Sequence, residues 1–374
     1  MPTMSSRWLL LFALPVLLRL LKTRRGPSRE KIILPREERV VLLGASSGVG
    51  KDLALAYAKR GAKICIFARR KSSLEAVKAE CLALGLSEDK IILVTGDVTS
   101  VKDLVKLRET VVEAWGGLDT LHILAGVPST STLMQLAGVQ LEPASGAQSK
   151  KNPSQRFVFT SEQGQLGEAG PGEEGLERLA AEARACAEVN YVGTVLALGA
   201  FVPLLASSSR SPALHHLSSV AATIPAPCRA IYSATKAAGL MAMESCRVEC
   251  EGSGIRFFSL LPGTIANDFR TKTATSDTGG RDETKLDIKG AWGEKLLLPP
   301  AKVVDTIFEH LALPPSPYPL IPYPPFSWIS ALSHPPRAIR FLPFMYRAAT
   351  WMRDTPLGWA YVEPSARKKY GLPN

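Results

Sequence analysis

The chain has 374 residues, of which 46% are hydrophobic and 21% are charged, a composition typical of a globular protein with a large core. The formal net charge of +11 lies at the two ends. Nine Lys and Arg against three Asp and Glu give residues 1–40 a net charge of +6, and seven against two give residues 335–374 a net charge of +5. Without a basic recognition helix or a zinc-finger spacing, this distribution excludes the usual nucleic-acid-binding classes. Basic ends beside apolar runs favour an anionic membrane surface as partner, and solvated basic tails are the alternative.

The cysteines and histidines lack metal-binding spacing, so no metal site is predicted. The six cysteines include no CxxC pair, which favours reduced thiols in a reducing compartment. Cys246 and Cys250 are four residues apart on a predicted helix and therefore share a face. The histidines, at positions 122, 215, 216, 310 and 334, are interpreted as structural.

The apolar run Trp8–Leu21 is interrupted by Pro15 and Arg19, and it is shorter than the about 20 residues that a spanning helix needs. It fits a signal-peptide core, a signal anchor or an interfacial helix. Basic residues at 22–25, rather than a small-residue cleavage site, follow the run and argue against its removal. Residues 1–30 are therefore predicted to be a membrane anchor or an interfacial helix, with the downstream domain on the cytosolic side.

The other end of the chain, residues 313–374, is rich in proline and aromatic residues. Arg340, Arg347 and Arg353 interrupt an apolar series within it. This pattern predicts a membrane-facing extension. A segment packed over the core or over a partner subunit is an equally open alternative.

Between the two ends, short apolar runs alternate with helical patterns such as residues 51–60 and 73–84. The strands predicted from these runs are 40–43, 63–67, 91–94, 118–124, 215–218 and 255–261. The alternation predicts an α/β fold in which helices cover both faces of a doubly wound parallel sheet, in a single domain over residues 38–312. Ligands of such sheets bind at the carboxyl ends of the strands.

Residues 135–174 break this rhythm. They are rich in Gly, Ser, Gln and Glu, and they lie between the fourth predicted strand and the next helix. An insertion of this length is usually functional or disordered, and its composition favours a flexible segment. The sequence RFVFT within it is compatible with a short strand.

A glycine-rich loop follows the first predicted strand and precedes a helix. Gly44 permits the turn off the strand, Gly48 lets the backbone approach a pyrophosphate, and Gly50 lets the helix pack against the strand. The N-terminus of the helix offers free N–H groups to phosphates. Its place between strand and helix makes this the dinucleotide-binding pattern of a Rossmann fold. The other loop residues expected at the cofactor are Ser46, Ser47 and Val49.

Arg69 and Arg70 follow the second predicted strand, where NAD-preferring sites carry an acidic residue for the ribose hydroxyls. Two guanidinium groups suit a 2′-phosphate, so NADP(H) is the predicted cofactor. The alternative is a pair of exposed arginines near a helix N-terminus. Asp97, with Val98 next to it, follows the third strand and is expected beside the adenine.

Tyr232 and Lys236 lie four residues apart on a predicted helix and so share a face. A phenol has a pKa of about 10, too high for proton exchange near neutrality, and a nearby ammonium lowers it. Ser219 ends a strand and can hold a carbonyl oxygen, and the amide of Asn190 could hold a water that connects Lys236 to solvent. For the Tyr–Lys pair alone, the alternative is an amphipathic helix with a buried tyrosine and a surface lysine.

Together these motifs resemble the classical short-chain dehydrogenase/reductase family over residues 38–312. The matching sequences are GASSGVG at 44–50, GDVT at 96–99, VN at 189–190, SS at 218–219, YSATK at 232–236 and PGT at 262–264. The resemblance implies hydride transfer between nicotinamide C4 and a carbinol carbon, with Tyr232 exchanging the hydroxyl proton. The implied catalytic tetrad is Asn190, Ser219, Tyr232 and Lys236, with Ser218 as the alternative serine. The other implied cofactor contacts are Gly126, Pro262, Gly263, Thr264, Ile265 and Asn267, besides Tyr232 and Lys236.

The chain departs from the family pattern in three places. After the fourth strand the family usually has Asn-Asn-Ala-Gly, whereas this chain has Ile-Leu-Ala-Gly at 123–126. Asn267 stands where a threonine is usual and can still reach the nicotinamide amide, and Leu43 replaces a threonine before the first glycine. The lost asparagine hydrogen bonds would weaken cofactor support, and the insertion could shape substrate access.

The apolar, basic ends look similar to those of membrane-bound branches of the family, the 11β-hydroxysteroid dehydrogenase-like and 3-ketosphinganine reductase-like members. This similarity implies a lipophilic ketone or alcohol substrate and a location at the endoplasmic reticulum or lipid droplet, with the catalytic domain facing the cytosol. The family also implies a homodimer formed through the helices that carry Asn190 and Tyr232. An NADP(H)-binding scaffold at a lipid surface, without turnover, is the alternative from another class.

Overall fold

The computed structural model describes residues 27–143, 157–161, 164–165, 170–271, 273–275, 297–313, 338–356, 358–362 and 364. The apolar run of the predicted anchor, much of the predicted insertion and much of the C-terminal extension lie outside the described residues. The described strands form one sheet of seven strands and one of three.

Strand order identifies the fold. In chain order the strands are β1 (Arg39–Leu43), β2 (Lys63–Ala68), β3 (Ile91–Thr95), β4 (Thr120–Ile123), β5 (Val139–Pro143), β6 (Phe157–Ser161), β7 (Gly164–Gln165), β8 (Ala213–Leu217), β9 (Arg256–Pro262) and β10 (Ile339–Leu342). The large sheet has the order β3-β2-β1-β4-β8-β9-β10, and every pair in it is parallel. This confirms the doubly wound sheet. The order reverses between β1 and β4, where ligands of such folds bind at the carboxyl ends.

Helices cover both faces of this sheet. They are α1 (Arg29–Ile32), α2 (Gly48–Lys59), α3 (Lys71–Ala83), α4 (Val101–Trp115), α5 (Leu133–Leu136), α6 (Glu173–Ala187), α7 (Gly193–Ser208), α8 (Ala230–Glu249), α9 (Pro300–Ala312) and α10 (Met345–Met352). Val40 and Leu42 of β1 pack in the core with α2, α3 and α9, whereas Val41 and Leu43 pack with α4, α7 and α8. Burial on both faces explains why the strands are continuous apolar runs rather than alternating ones.

The six predicted strands all coincide with strands of the large sheet, but the seventh strand differs from the prediction. β10 lies in the segment predicted to be a membrane-facing extension, yet it pairs in parallel with β9. Arg340, expected to face a membrane, forms an ion pair with Glu309 of α9 at 3.0 Å. Because β9 would otherwise leave its backbone groups unpaired at the sheet edge, β10 completes the sheet. For residues 339–342 the structure supports the alternative, a segment packed over the core.

The described part of the predicted insertion contains secondary structure. β5, β6 and β7 form a separate antiparallel sheet in which Leu141 lies opposite Phe159. The short strand expected at RFVFT is therefore confirmed as β6. The composition, by contrast, favoured a flexible segment. The pairing of β5 with β6 joins Val139 to Ser161 at one end and Pro143 to Phe157 at the other, and composition cannot reveal such a pairing.

The last residues of the segment predicted as an anchor belong to the domain. Arg29 is buried and pairs with Glu38 at 2.5 Å. Its guanidinium also donates to Thr120 Oγ1 at 2.7 Å and to the backbone oxygen of Ser211 at 2.9 Å. A buried charge is tolerated only with such partners. These bonds fasten the chain to the amino ends of β4 and β8, away from the carboxyl edge of the sheet.

Within the described residues, one helix is long and apolar enough to cross a membrane by length and composition, namely Glu173–Ser208. It comprises α6, a π-helical turn (Glu188–Val192) and α7. The side chains of Asn190, Phe201 and Leu205 on this helix are buried in the domain. Packing on the sheet therefore accounts for part of its apolar character, since 39% of its most apolar window is buried.

Candidate active site

The phosphate loop is formed by close backbone approaches that only glycine permits. Gly44 has φ +99°, and a Cβ on it would lie 2.6 Å from the backbone nitrogen of Ala125. A Cβ on Gly50 would lie 2.1 Å from the backbone oxygen of Gly44. The first turn of α2, which includes buried Val49, therefore sits directly on the carboxyl end of β1. The arrangement presents the free N–H groups of a helix N-terminus to an anion.

The two arginines beyond β2 have different partners. The guanidinium of Arg70 lies 3.2 Å from Ser46 Oγ and 3.3 Å from Ser47 Oγ, so it reaches across the phosphate loop. Arg69 instead lies 3.7 Å from Asp97. Both arginines are exposed. Of the two, Arg70 is the one placed over the loop.

Asp97 and Val98, which follow β3, are held in place by contacts with other residues of the chain. Asp97 Oδ1 accepts hydrogen bonds from the backbone N–H and the hydroxyl of Thr99, both at 2.9 Å. Val98 is buried and packs against Gly193 at the start of α7. Both residues therefore follow a strand at the carboxyl edge of the sheet, as predicted for the adenine side of a dinucleotide site.

Gly126 lies between two of the predicted catalytic residues. A Cβ on Gly126 would be 3.1 Å from Asn190 Oδ1 and 3.1 Å from Lys236 Nζ. A side chain at this position would press on both Asn190 and Lys236. The preceding Leu124 donates its N–H to the backbone oxygen of Leu43 at 2.9 Å, so the unusual sequence at 123–126 keeps the strand pairing.

Asn190 lies in the π-helical turn between α6 and α7 and is fully buried. Its Oδ1 accepts from the N–H of Val127 at 2.9 Å. Its Nδ2 donates to the backbone oxygen of Val127 and to Thr235 Oγ1, each at 3.0 Å. The sequence predicted that this amide could hold a water, whereas the structure uses it to fix the loop after β4 against α8. Such π-helical turns are frequent at functional sites.

Lys236 is buried on α8, with its side chain directed at the carboxyl edge of the sheet. Its Nζ donates to the backbone oxygen of Leu217 at 3.1 Å. Burial lowers the pKa of this lysine to about 8, opposed by the nearby Cys186. The ammonium form therefore still predominates at pH 7.

Tyr232 is half-buried, one helical turn before Lys236. The Nζ of Lys236 lies 6.0 Å from the centroid of its ring, and the ring of Phe269 meets it edge-on at 6.0 Å. Tyr232 and Lys236 therefore share one face of α8, as predicted.

The neighbouring serines occupy different environments. Ser219 is half-buried, and its Oγ accepts from the N–H of Ala221 at 3.2 Å. Ser218 is 3% exposed, and in the described part of the chain its Oγ has no hydrogen-bond partner. Ser219 is therefore the more exposed of the two serines, and the turn that follows it packs against α8.

The loop after β9 returns to the phosphate loop. Pro262 ends the strand, and the side chain of Asn267 lies 3.6 Å from the position of a Cβ on Gly48. Ile265 forms an isolated bridge with Leu298 that fixes the loop near α9. Thr264 and Gly263 precede it. The loop predicted to bind the nicotinamide therefore adjoins the glycines predicted to bind the pyrophosphate.

The sequence analysis did not predict that residues in and just after α10 border the candidate site. A Cβ on Gly263 would lie 2.8 Å from the ring of Tyr346. Thr350 lies in hydrogen-bond contact with Thr223 at 3.2 Å, and Arg353 donates to the backbone oxygen of Thr223 at 2.9 Å. α10 therefore lies beside both the loop after β9 and the turn after Ser219. Only the apolar pattern of residues 341–352 could have pointed to such packing.

The residues present fit a nicotinamide dinucleotide. Gly44 and Gly50 bring the N-terminus of α2 close to the carboxyl end of β1, where its free N–H groups can bind phosphates. Cationic Arg70 lies beside this loop, and cationic Lys236 lies at the carboxyl end of β8. Together with the reversal of strand order between β1 and β4, this defines a dinucleotide-binding α/β protein in which Tyr232 and Lys236 lie on one face of α8.

The sequence profile of the short chain dehydrogenase family matches residues 38–142 and 170–278 of this chain. The chain belongs to the short-chain dehydrogenase family. The gap in the match, residues 143–169, falls within the insertion predicted at 135–174.

Among its relatives is 11-beta-hydroxysteroid dehydrogenase-like 2 of Arabidopsis thaliana, 29% identical over 232 residues, which are 62% of this chain and 60% of that protein. Another is 11-beta-hydroxysteroid dehydrogenase A of Sesamum indicum, 38% identical over 100 residues, 27% of this chain and 28% of that protein. The match thus spans at most about 60% of the length of these relatives.

Solved structures share the fold. An alcohol dehydrogenase from the archaeon Thermococcus sibiricus, complexed with 5-hydroxy-NADP, superposes with a TM-score of 0.51 at 20% identity, covering 75% of this chain and 93% of that one. A short-chain type dehydrogenase/reductase from Mycobacterium marinum gives a TM-score of 0.55 at 19% identity, covering 83% and 95%.

Proposed function

We propose that this protein is an NADP(H)-dependent oxidoreductase that interconverts a ketone and a secondary alcohol on a lipophilic substrate, with Tyr232 as the general acid and base. The observation that carries the proposal is the position of Tyr232 and buried Lys236 on one face of α8, beside Gly126. The nicotinamide, when bound, exchanges a hydride with the carbinol carbon of the substrate.

Tyr232 and Ser219 act on the substrate oxygen in this proposal. Tyr232 gives its phenolic proton to the carbonyl oxygen during reduction and takes it back during oxidation. The Oγ of Ser219 already accepts a hydrogen bond from Ala221, so its own proton is oriented away from that N–H and can be donated to the same carbonyl oxygen. Two donors converging on one oxygen stabilise the charge that develops there.

Lys236 supports Tyr232 through its charge. With a pKa of about 8, the buried amine is mostly an ammonium at pH 7, and a cation near a phenol favours the phenolate. One of its three N–H groups is directed at Leu217. The others are proposed to bind the nicotinamide ribose.

Three further proposals concern the environment of the enzyme. Arg70 over Ser46 and Ser47 supports NADP(H) rather than NAD(H), because a guanidinium binds a 2′-phosphate. The likeness to 11-beta-hydroxysteroid dehydrogenase-like proteins supports a lipophilic substrate. The part of the predicted anchor that precedes Arg29 is proposed to attach the enzyme to the endoplasmic reticulum or lipid droplets, facing the cytosol. Cofractionation of the full chain, but not of residues 27–374, with these membranes would support that location.

A homodimer is proposed through α7 and α8. An open groove between the two helices is lined by Val195, Leu198, Gly199, Val202, Pro203, Ala242, Ser245, Cys246 and Glu249. Val195 is 40% exposed although apolar, as expected of a surface that a second copy covers.

The function is tested with NADPH and NADP+ against steroid, sphingoid and retinoid ketones and alcohols. Turnover of a sphingoid ketone alone would indicate the 3-ketosphinganine reductase-like alternative. Binding of NADPH without oxidation by any ketone would indicate a scaffold and contradict the proposal.

Tyr232→Phe provides the mechanistic test. Because the variant keeps the ring against Phe269 but lacks the proton, kcat is expected to fall about 10²–10⁴-fold. The dissociation constant for NADPH, measured by fluorescence titration, is expected to stay within about twofold, since the phosphate loop and Lys236 are unchanged. Tyr191→Phe, at an exposed tyrosine, is the matched control and should keep turnover. Near-normal turnover by Tyr232→Phe would contradict the mechanism.

A further inference from the structure

Glu182 is a buried carboxylate on the helix that leads to Asn190. Glu182, Cys186 and Asn190 follow one another at intervals of four residues, and their exposures are 1%, 0% and 0%. This spacing places them on one face of the continuous helix. Because burial of a carboxylate is costly unless hydrogen bonds replace its lost water, the partners of Glu182 are informative.

Within the described residues, its hydrogen bonds come from one short stretch of the loop that follows β9. Oε2 accepts from the hydroxyl of Thr275 at 2.6 Å and from the N–H of Thr275 at 3.1 Å. Oε1 accepts from the N–H of Ala274 at 3.3 Å. In the part of the chain that the structure describes, no cation pairs with this carboxylate. Its bonds therefore tie the loop to α6.

The same loop forms a wall of the candidate site. Phe269 meets the ring of Tyr232 edge-on, and its N–H donates to Asn267 Oδ1 at 3.2 Å. Asn267 in turn lies beside Gly48 of the phosphate loop. The stretch that carries Phe269 is thus held at one end near the phosphate loop and at the other by Glu182.

We propose that Glu182 is a positioning residue that fixes Phe269 as the apolar wall beside Tyr232, against which the carbon skeleton next to the substrate carbonyl packs. This inference rests on the proposed function, because it concerns the substrate side of the same site. Glu182 acts through the loop and has no role in proton transfer.

The chemistry requires a carboxylate rather than an amide. Three donors converge on the two oxygens of Glu182, and a carboxylate is acceptor-only at both. In Glu182→Gln one oxygen becomes an NH2 group, which would face a backbone N–H of residue 274 or 275. The variant keeps the shape of the side chain and loses at least one charge-assisted hydrogen bond.

Kinetics of Glu182→Gln and Thr275→Val test the proposal. Loss of a hydrogen bond to a charged group is expected to raise KM for the carbonyl substrate about tenfold or more, with kcat reduced less than about threefold. The dissociation constant for NADPH should change less than about twofold. The double variant should cost less than the sum of the single ones, because both weaken the same link between α6 and the loop. Thr275→Ser, which keeps the hydroxyl, should retain the wild-type KM, as should Glu177→Gln at an exposed glutamate of α6.

Amide hydrogen exchange at residues 269–275 gives a readout that does not depend on turnover. Faster exchange in Glu182→Gln than in Glu177→Gln is expected. Unchanged exchange would overturn the proposal, even if the wild-type enzyme reduced no ketone and the proposed function failed. Faster exchange with an unchanged KM would also overturn it, because the contact would then be structural only. A lower thermal midpoint of Glu182→Gln, with unchanged exchange and kinetics, would likewise overturn the proposal.

Discussion

The guanidinium of Arg70 extends from the end of β2 over the phosphate loop. Its distances of 3.2 and 3.3 Å to Ser46 and Ser47 are long for hydrogen bonds, so these hydroxyls hold it weakly. A 2′-phosphate offers a charged and stronger acceptor at the same place. Arg69 has Asp97 as a neighbour instead. The sequence presented the two arginines as equals, and their side-chain directions distinguish them.

At this residue, Arg70→Ala should alter the choice of cofactor. The ratio kcat/KM with NADPH is expected to fall about 10–100-fold, the equivalent of one charge-assisted contact of 1.5–3 kcal/mol, whereas kcat/KM with NADH should change less than about threefold. Lys71→Ala, at the next residue along, removes an exposed cation and serves as control. Equal losses with both cofactors would refute a role in 2′-phosphate binding.

The three parts of the helix from Glu173 to Ser208 contact different regions of the molecule. α6 directs Glu182 toward the loop after β9, the π-helical turn directs Asn190 at Val127, and α7 forms one side of the groove with α8. Its high hydropathy is therefore explained by burial on the sheet and by the groove. The same helix links the proposed dimer surface to the active site.

A charge in the groove tests this element. Val202→Asp would place an unpaired carboxylate in the proposed interface, and the cost of burying such a charge should weaken the dimer at least about tenfold. Sedimentation velocity across a concentration series measures the change. Val101→Asp, at an exposed valine of α4 outside the groove, is expected to leave the dimer intact. A monomeric wild-type protein, or an unaffected Val202→Asp dimer, would contradict the proposed surface.

A row of buried histidines crosses one face of the sheet. His122 and His215 share a hydrogen bond of 2.9 Å between their Nδ1 atoms, and Tyr57 contacts the other side of His122. Phe258 stacks between His215 and His310. Burial lowers the pKa of His215 and of His310 to about 3. This agrees with the structural role that the sequence analysis gave these histidines.

These lowered pKa values predict loss of stability in mild acid for the whole molecule. The unfolded chain takes up protons below the ordinary histidine pKa of about 6.5, whereas the native state does so only near pH 3. The stabilisation is therefore complete above pH 6.5 and is lost as the pH falls toward 3. Each of the two histidines should lower the free energy of unfolding at pH 5 by on the order of 2 kcal/mol relative to pH 7.

Urea unfolding of His310→Phe at pH 7 and pH 5 isolates one of these contributions. Phenylalanine keeps the stacking on Phe258, and in the described structure the replaced Nε2 has no hydrogen-bond partner. The variant should therefore lose on the order of 2 kcal/mol less than the wild type between the two pH values. An identical pH dependence of the free energy of unfolding in both proteins would contradict the lowered pKa of His310.

Local patterns were sufficient to locate six of the seven strands of the large sheet and to place the glycine loop and the Tyr232–Lys236 pair. Buried parallel strands are continuous apolar runs, so β1 to β4, β8 and β9 could be located from the sequence. Gly44 and Gly50 lie where a side chain would collide with neighbouring backbone, and Tyr232 and Lys236 share a face because of helical periodicity. In each case the conformation of a short stretch of chain depends on the residues within that stretch.

Contacts between distant segments could not be predicted in this way. β10 joins the sheet only because the edge of β9 is available, and Arg29 is buried only because Glu38 and Thr120 meet it at the amino ends of the strands. The partners of Glu182 lie about 90 residues further along the chain.

The sequence by itself therefore determined the fold, the glycine loop and the shared helix face of Tyr232 and Lys236. The reason is that backbone sterics and helical periodicity act locally. The tertiary structure alone decided that Asn190 holds Val127, that Arg70 rather than Arg69 covers the loop, and that α10 and Glu182 border the site. The physical reason is that hydrogen-bond partners and ion pairs depend on which segments are brought together, and packing of the whole chain sets that.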